Sequence, residues 1–187
     1  MTKAISRSEP GAGHPFLTFL NTVADDGKTR QINSFQNATV LVRLLEEEGF
    51  AAPSEPITST QMRNILILRE TAYAAFSAIA AGRAPGREDA LYLTETLKTV
   101  YQEAELNIGA EGLAVAPSPL GRVYEQLALS MDDLLRSDQF GRIRECRRCT
   151  HLFIDKGRGV GRRWCSMSRC GNRAKAESFR ARQRHAA

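Results

Sequence analysis

Apolar side chains recur every three or four residues through most of the first 140 positions, which is the spacing of one face of an α-helix. The most regular stripe predicts a long helix over residues 59–81, stopped by Gly82. Its members are Ile65, Leu68, Ala72, Ala75, Phe76 and Ile79. Shorter stripes predict four more helices: one from Pro15 that ends by Gly27, one over 34–49, one from the turn A-P-G-R-E-D to about Glu103, and one over 119–136.

Serines precede two of these helices and are predicted to cap them, because a serine hydroxyl accepts a hydrogen bond from a free N–H group of the first turn. Ser34 is the predicted cap of the second helix, and Ser118 is that of the helix over 119–136. On the helix that ends near Glu103, the side chains expected to face inward are Leu91, Leu97, Val100 and Tyr101.

The period changes between these helices. Residues 106–108 (L-N-I) and 113–115 (L-A-V) flank the sequence G-A-E-G and predict a β-hairpin. The predicted fold is therefore mainly α, with three parts: a flexible leader over 1–13, a helical domain with a small hairpin over 14–140, and a distinct module over 141–187. No run of eighteen apolar residues predicts a membrane span.

All four cysteines lie in the last part, spaced C-x2-C, fifteen residues, C-x4-C. Two close pairs joined by a short connection are typical of a structural zinc site, because each pair supplies two thiolates to a tetrahedron. The predicted ligands of one zinc ion are Cys146, Cys149, Cys165 and Cys170. Four protein ligands close the site and leave no position for a catalytic water.

Other uses of these cysteines are disfavoured. Two disulfides need an oxidising compartment, and the N-terminus lacks the apolar core of a secretion signal. A zinc deaminase needs an upstream H-x-E, and none of His14, His151 and His185 is followed by x-E. His151 remains an alternative fourth ligand. The expected compartment is a reducing cytoplasm, which keeps the thiols available to zinc.

The zinc module is predicted to be treble-clef-like: a knuckle, a β-hairpin and a helix that carries the last ligand. Residues 152–154 (L-F-I) are expected to pair with residues 162–164 (R-R-W) across a glycine-rich tip, and a helix follows Cys170. Gly171 is expected to let the backbone pack close to the metal, and Asn172 to cap the helix.

Charge divides the chain at the same place. Residues 141–187 hold fourteen Lys and Arg against three Asp and Glu, a net charge of +11, whereas the remainder carries −6. This division predicts a polyanionic partner for the zinc module, with DNA favoured over RNA. We also expect the two parts to fold separately. The predicted contact residues are Arg147, Arg148, Arg162, Arg163, Arg173, Lys175, Arg180, Arg182 and Arg184. Arg173, Arg180 and Arg184 share one helix face; a competing possibility is that this helix packs on the acidic domain.

The sequence R-R-W-C-S-M-x-x-C-G-N-R-x-K over 162–175 resembles the CGNR zinc-finger family, and F-L-N-T-V over 19–23 resembles the opening motif of the ABATE domain. The resemblance implies a bacterial transcriptional regulator with an N-terminal helical domain and a nucleic-acid-binding zinc module. His14, Asn21 and Thr22 are candidates for contacts to a small-molecule effector; alternatively, Asn21 and Thr22 are buried polar groups that pin a loop.

The function predicted from these features is transcriptional regulation through DNA, with an effector or a second subunit bound by the helical domain. The alternatives are an RNA-binding protein and a protein-interaction module with purely structural zinc. An enzyme is not expected, because no nucleophile–base pair, phosphate-binding glycine loop or carboxylate dyad occurs.

Overall fold

The computed structural model describes residues 11–24, 28–118, 122–157 and 161–186. Its helices are α1 (Pro15–Leu20), α2 (Ala38–Glu47), α3 (Ser59–Ala80), α4 (Arg87–Glu103), α5 (Val123–Arg136) and α6 (Asn172–Ala186). Its strands are β1 (Glu105–Gly109), β2 (Gly112–Ala116), β3 (Ile143–Glu145) and β4 (Leu152–Ile154). The predicted mainly α fold with a zinc module is confirmed. Most of the predicted leader and part of the glycine-rich tip lie outside the described residues.

Helix starts follow the capping chemistry, but two caps differ from those predicted. α3 begins with a capping box, in which Thr58 and Gln61 each bond the other's backbone N–H. α2 begins at Ala38 rather than near Ser34, because the Asn37 side chain accepts the bond from the N–H of Val40. The Ser118 cap is likewise wrong.

Ser118 hydrogen-bonds Glu125 instead of capping a helix. Its N–H and hydroxyl both donate to Glu125 Oε2, the hydroxyl at 2.6 Å. α5 begins at Val123, with residues 119–121 outside the described ranges. The loop before α5 is therefore held by a carboxylate from the first turn of the helix.

The short helix α1 lies at the centre of the main core. Phe16, Leu17, Phe19 and Leu20 are all fully buried. α1 packs against α3 and α5, and the rings of Phe16 and Phe76 meet edge to face at 5.8 Å. On α4 the buried side chains are Leu93, Thr96 and Val100, whereas Leu91 is 53% exposed, contrary to the prediction.

The β1–β2 hairpin forms as predicted, with Leu106 opposite Val115 and Ile108 opposite Leu113. It stands almost entirely in solvent, and Ile108 is 85% exposed.

The second hairpin joins strands other than those predicted. β4 pairs antiparallel with β3, so that Ile143 lies opposite Ile154, and residues 162–164 form no strand. Ile143, Leu152 and Ile154 belong to the same core cluster as α1 and α3. The strands that begin the zinc module thus complete the core of the helical domain.

Among the described residues, no helix combines the length and apolar character needed to cross a membrane.

Candidate metal centre

Four cysteine thiols converge at one point of the module. The Sγ atoms of Cys149, Cys165 and Cys170 are 3.5–3.6 Å apart. Adding Cys146, all four sulfurs lie within 4.8 Å of one another. A tetrahedron with Zn–S bonds of about 2.3 Å has edges of about 3.8 Å, so one ion fits. A disulfide needs about 2 Å, and the four cysteines are free thiols.

Electrostatics favour a divalent cation between these sulfurs. Hydrogen bonds from Cys149 and Cys165 lower the pKa of Cys146, whereas hydrogen bonding to Cys146 raises the pKa of Cys149 to about 12 and also raises that of Cys165. The cluster alone therefore supports one thiolate readily and resists further ones. A bound Zn²⁺ supplies the positive charge that stabilises the additional thiolates.

Cys146, Cys149 and Cys170 are buried, and Cys165 is partly exposed. His151 is not in the cluster; its carbonyl accepts a hydrogen bond from the N–H of Cys146 at 2.9 Å, and burial lowers the pKa of its ring. Within the described ranges the metal-binding group consists of the four cysteines alone. The ligand set contains sulfur only, which suits a structural zinc ion.

The last ligand sits in a single π-helical turn, Met167–Gly171, that leads into α6. Ser166 caps this turn by accepting a hydrogen bond from the N–H of Arg169, so Asn172 is not the cap that was predicted. Gly171 is buried, and a Cβ there would lie 2.6 Å from Met167 Sδ and 3.2 Å from Trp164 Cδ1. The space beside Gly171 is therefore filled by the side chains of Met167 and Trp164, which leave no room for a larger residue.

Seven of the nine basic side chains predicted to contact nucleic acid are exposed: Arg147, Arg163, Arg173, Lys175, Arg180, Arg182 and Arg184. Arg148 lies partly buried and pairs with Glu177 of α6 at 3.1 Å. Arg162 faces inward: its guanidinium lies 4.4 Å from the centre of the Phe153 ring, and it donates to the carbonyls of Trp164 and Cys165. The structure thus uses Arg148 and Arg162 to brace the module.

Only a narrow stripe of α6 is partly buried over residues 172–184. Ala174 and Ala181 are partly buried, whereas every residue from Lys175 to Arg180 is exposed. The element that it mainly contacts is the turn Met167–Gly171, which directly precedes it in the chain. The basic side chains are therefore carried on a helix whose larger part faces solvent.

The three candidate effector contacts make internal hydrogen bonds. His14 caps α1 through Nδ1, and its Nε2 lies 3.0 Å from Asp133. Thr22 donates to the carbonyl of Phe19 at 2.7 Å. Asn21 bridges the two parts of the chain, because its amide pairs with both the N–H and the carbonyl of Leu152 at 2.8 Å.

A buried polar network joins the helical domain to Thr150, directly after the knuckle (residues 146–149), and no local pattern in the sequence predicts it. Arg30 donates to Glu70 Oε2 at 2.7 Å, to the Leu20 carbonyl at 2.8 Å and to the Thr150 hydroxyl at 3.3 Å. Its guanidinium also lies 3.6 Å from the centre of the Tyr73 ring. Burial opposes ionisation of Glu70, but the hydrogen bonds and positive charges of Arg30 and Arg69 together outweigh it and hold the pKa of Glu70 below its usual value.

A second contact anchors the other side of the knuckle. Glu145, directly before Cys146, accepts hydrogen bonds from Ser77 at 2.5 Å and Tyr73 at 3.3 Å. Burial, reinforced by the charge of Glu145, raises the pKa of Tyr73 to about 12, so this phenol stays a donor near neutral pH. The residue directly before the knuckle thus fixes it to α3.

Two family models match consecutive parts of the chain. Residues 13–138 match the ABATE model, described as "putative stress-induced transcription regulator", and residues 142–183 match the CGNR zinc finger. The resemblances noted in the sequence are confirmed. A comparison with curated proteins gave no significant match.

Proposed function

The chain belongs to the ABATE family, and from that premise we propose that it is a DNA-binding regulator whose zinc module contacts the duplex through α6. One observation carries this proposal: basic side chains are concentrated on an exposed helix that directly follows the turn holding the last zinc ligand. A net charge of +11 in the module favours a polyanion. The proposal assigns the chain no catalytic activity and places it in the cytoplasm.

Duplex DNA is preferred because α6 is a regular helix of 15 residues with most of its side chains exposed. The major groove is about 12 Å wide and admits one α-helix, whereas the deep, narrow major groove of A-form RNA excludes side chains. RNA recognition usually relies on aromatic or arginine surfaces for unpaired bases. Competition between a DNA duplex and a hairpin RNA of equal charge, at one salt concentration, separates these partners.

An effector is assigned to a groove of about 340 Å³ beside the start of α3. Its apolar lining is formed by Phe35, Ile57, Met62 and Leu66. Asn33, which also lines it, accepts a hydrogen bond from Arg69 at 2.8 Å, and Arg69 bonds the same Glu70 that holds Arg30. A ligand of mixed polarity bound here would therefore touch the network that reaches the knuckle.

The test is the salt dependence of binding to labelled duplex DNA by the full chain loaded with zinc. Each phosphate contact contributes about −0.9 to the slope of log affinity against log salt. Arg180→Ala and Arg184→Ala are each expected to flatten the slope by roughly one unit and to weaken binding to all sequences alike. Arg43→Ala, an exposed substitution on α2, is the matched control.

If the α6 variants leave affinity and slope unchanged while melting at a lower temperature, the helix serves the fold and the proposal is wrong.

A further inference from the structure

The side chains of α6 fall into separate strips around the helix axis. Successive residues are 100° apart, so Ala174 and Ala181, seven positions apart, lie on the same side. Over residues 172–184 these two side chains are the ones that are partly buried, and the side of the helix that carries them is called the packed face below. Every other strip can be placed by its angle from this packed face.

Two basic strips flank the packed face at nearly equal angles. Arg173, Arg180 and Arg184 lie about 90° to one side of it, and Lys175 and Arg182 lie about 100° to the other. All five side chains are exposed. The helix therefore presents cations along both of its edges: Arg173, Arg180 and Arg184 share one face, as predicted, and Lys175 and Arg182 form a second.

Between these basic edges, on the side opposite the packed face, lies a strip without charge. It consists of Asn172, Ala176, Phe179 and Gln183, which fall within an arc of about 60°. All four are exposed, and Phe179 exposes 56% of its surface. An uncharged strip with an exposed aromatic ring is unusual on a helix this basic, and the packing of the described residues gives it no role.

We propose that this strip, Asn172–Ala176–Phe179–Gln183, is the base-reading face of α6, with the two basic edges bound to the phosphates on either side of the major groove. This deepens the proposed function and rests on it. An α-helix with its side chains is about 10–12 Å across, which matches the groove width of about 12 Å. Cations on both edges are what a helix needs when a phosphate backbone runs along each side of it.

The chemistry of the strip selects its bases. Asparagine and glutamine amides can form paired hydrogen bonds with the N6 and N7 atoms of adenine. Alanine and phenylalanine offer apolar contact to the methyl group of thymine. The preferred site is therefore rich in A·T pairs where it faces α6, and the arginines contribute affinity without sequence preference.

The experiment first selects preferred sites from a pool of short DNA duplexes with a randomised centre, using the zinc-loaded full chain. Affinities for the selected duplex and for its scrambled version are then measured by fluorescence anisotropy. Gln183→Ala and Phe179→Ala are each expected to reduce the ratio of the two affinities by about tenfold, within the range for one base contact. Arg180→Ala should weaken both affinities equally and leave the ratio unchanged.

Ser178→Ala, an exposed substitution outside this strip, is the matched control, and the zinc content and helicity of every variant are measured. If duplex binding is salt-dependent but Gln183→Ala and Phe179→Ala leave the ratio intact, α6 binds phosphates only; the base-reading face is refuted and the proposed function stands. If Phe179→Ala changes the oligomeric state rather than the affinity ratio, the strip is a protein contact. If the wild-type chain binds no duplex, both proposals fail.

Discussion

Removal of zinc is expected to unfold the whole chain in one step, in place of the separate folding of the two parts that the charge division predicts. The reason is the shared core. Ile143, Leu152 and Ile154 are at most 2% exposed and pack with the helical domain. Burying each such side chain contributes about 1.5–3 kcal/mol, so the three together contribute about 5–9 kcal/mol. The whole stability of a domain is about 5–15 kcal/mol.

Loss of the metal acts on these strands because the knuckle connects them. Two ligands, Cys146 and Cys149, lie in the short connection between β3 and β4. Without zinc the connection between β3 and β4 can adopt many more conformations. A ladder of three residue pairs is too short to hold the two strands together alone. Chelation or Cys149→Ser should therefore release β3 and β4 and expose the α1 side of the core.

The assay is thermal unfolding followed by circular dichroism and by the fluorescence of Trp164, the single tryptophan, with and without a strong zinc chelator. Both signals should report one transition, shifted to lower temperature when zinc is removed. Arg184→Ala, which touches neither core nor ligand, is the control and should melt like the wild type. Two separate transitions, with helical signal preserved after the tryptophan signal is lost, would refute the shared core.

Two further substitutions test the join and the metal site. Asn21→Ala removes both hydrogen bonds to Leu152 and leaves two backbone groups without partners. The free energy of unfolding, measured by urea denaturation, should fall by about 2–4 kcal/mol. A fall below about 0.5 kcal/mol would contradict the bridging role of Asn21. Gly171→Ala places a methyl group against Met167 and Trp164. It should lower the free energy of unfolding by about 1–3 kcal/mol and weaken zinc binding in a competition titration. An unchanged zinc affinity would show that the turn can rearrange to accommodate the methyl group.

Local patterns in the sequence were sufficient for the long helices and for the zinc ligands. The α3 stripe repeats over 22 residues, and the capping chemistry of Thr58 and Gln61 fixes its start within one turn. The cysteine spacing is likewise local within each pair. The start of α2 was missed because Ser34 and Asn37 are both capping residues in one short window, and only the backbone geometry distinguishes them.

Features that depend on distant residues were not predicted. β4 is three residues long, which is too short for its side-chain alternation to show which strand it pairs with. Its partner β3 lies before the knuckle, whereas the predicted partner lies after it. Arg30 lies 40 positions from Glu70 and 120 from Thr150, in a segment that reads as a turn and an extended link. No local spacing marks such a contact.

The backbone of Arg30 shows how firmly this contact is held. Its φ of 58° lies in the left-handed region, which costs a residue with a side chain about 1–3 kcal/mol. The conformation aims the guanidinium at Leu20, Glu70 and Thr150 at once, so the strain is offset by bonds to three parts of the fold.

The knuckle is consequently held by the helical domain on both sides. Glu145 before it bonds α3, Thr150 after it bonds Arg30, and Leu152 further on bonds Asn21. Because α6 is attached to the knuckle through the metal ligands and the Arg148–Glu177 pair, its direction depends on the helical domain. The acidic domain therefore sets the direction of the basic helix, while the cations of α6 stay exposed to a partner.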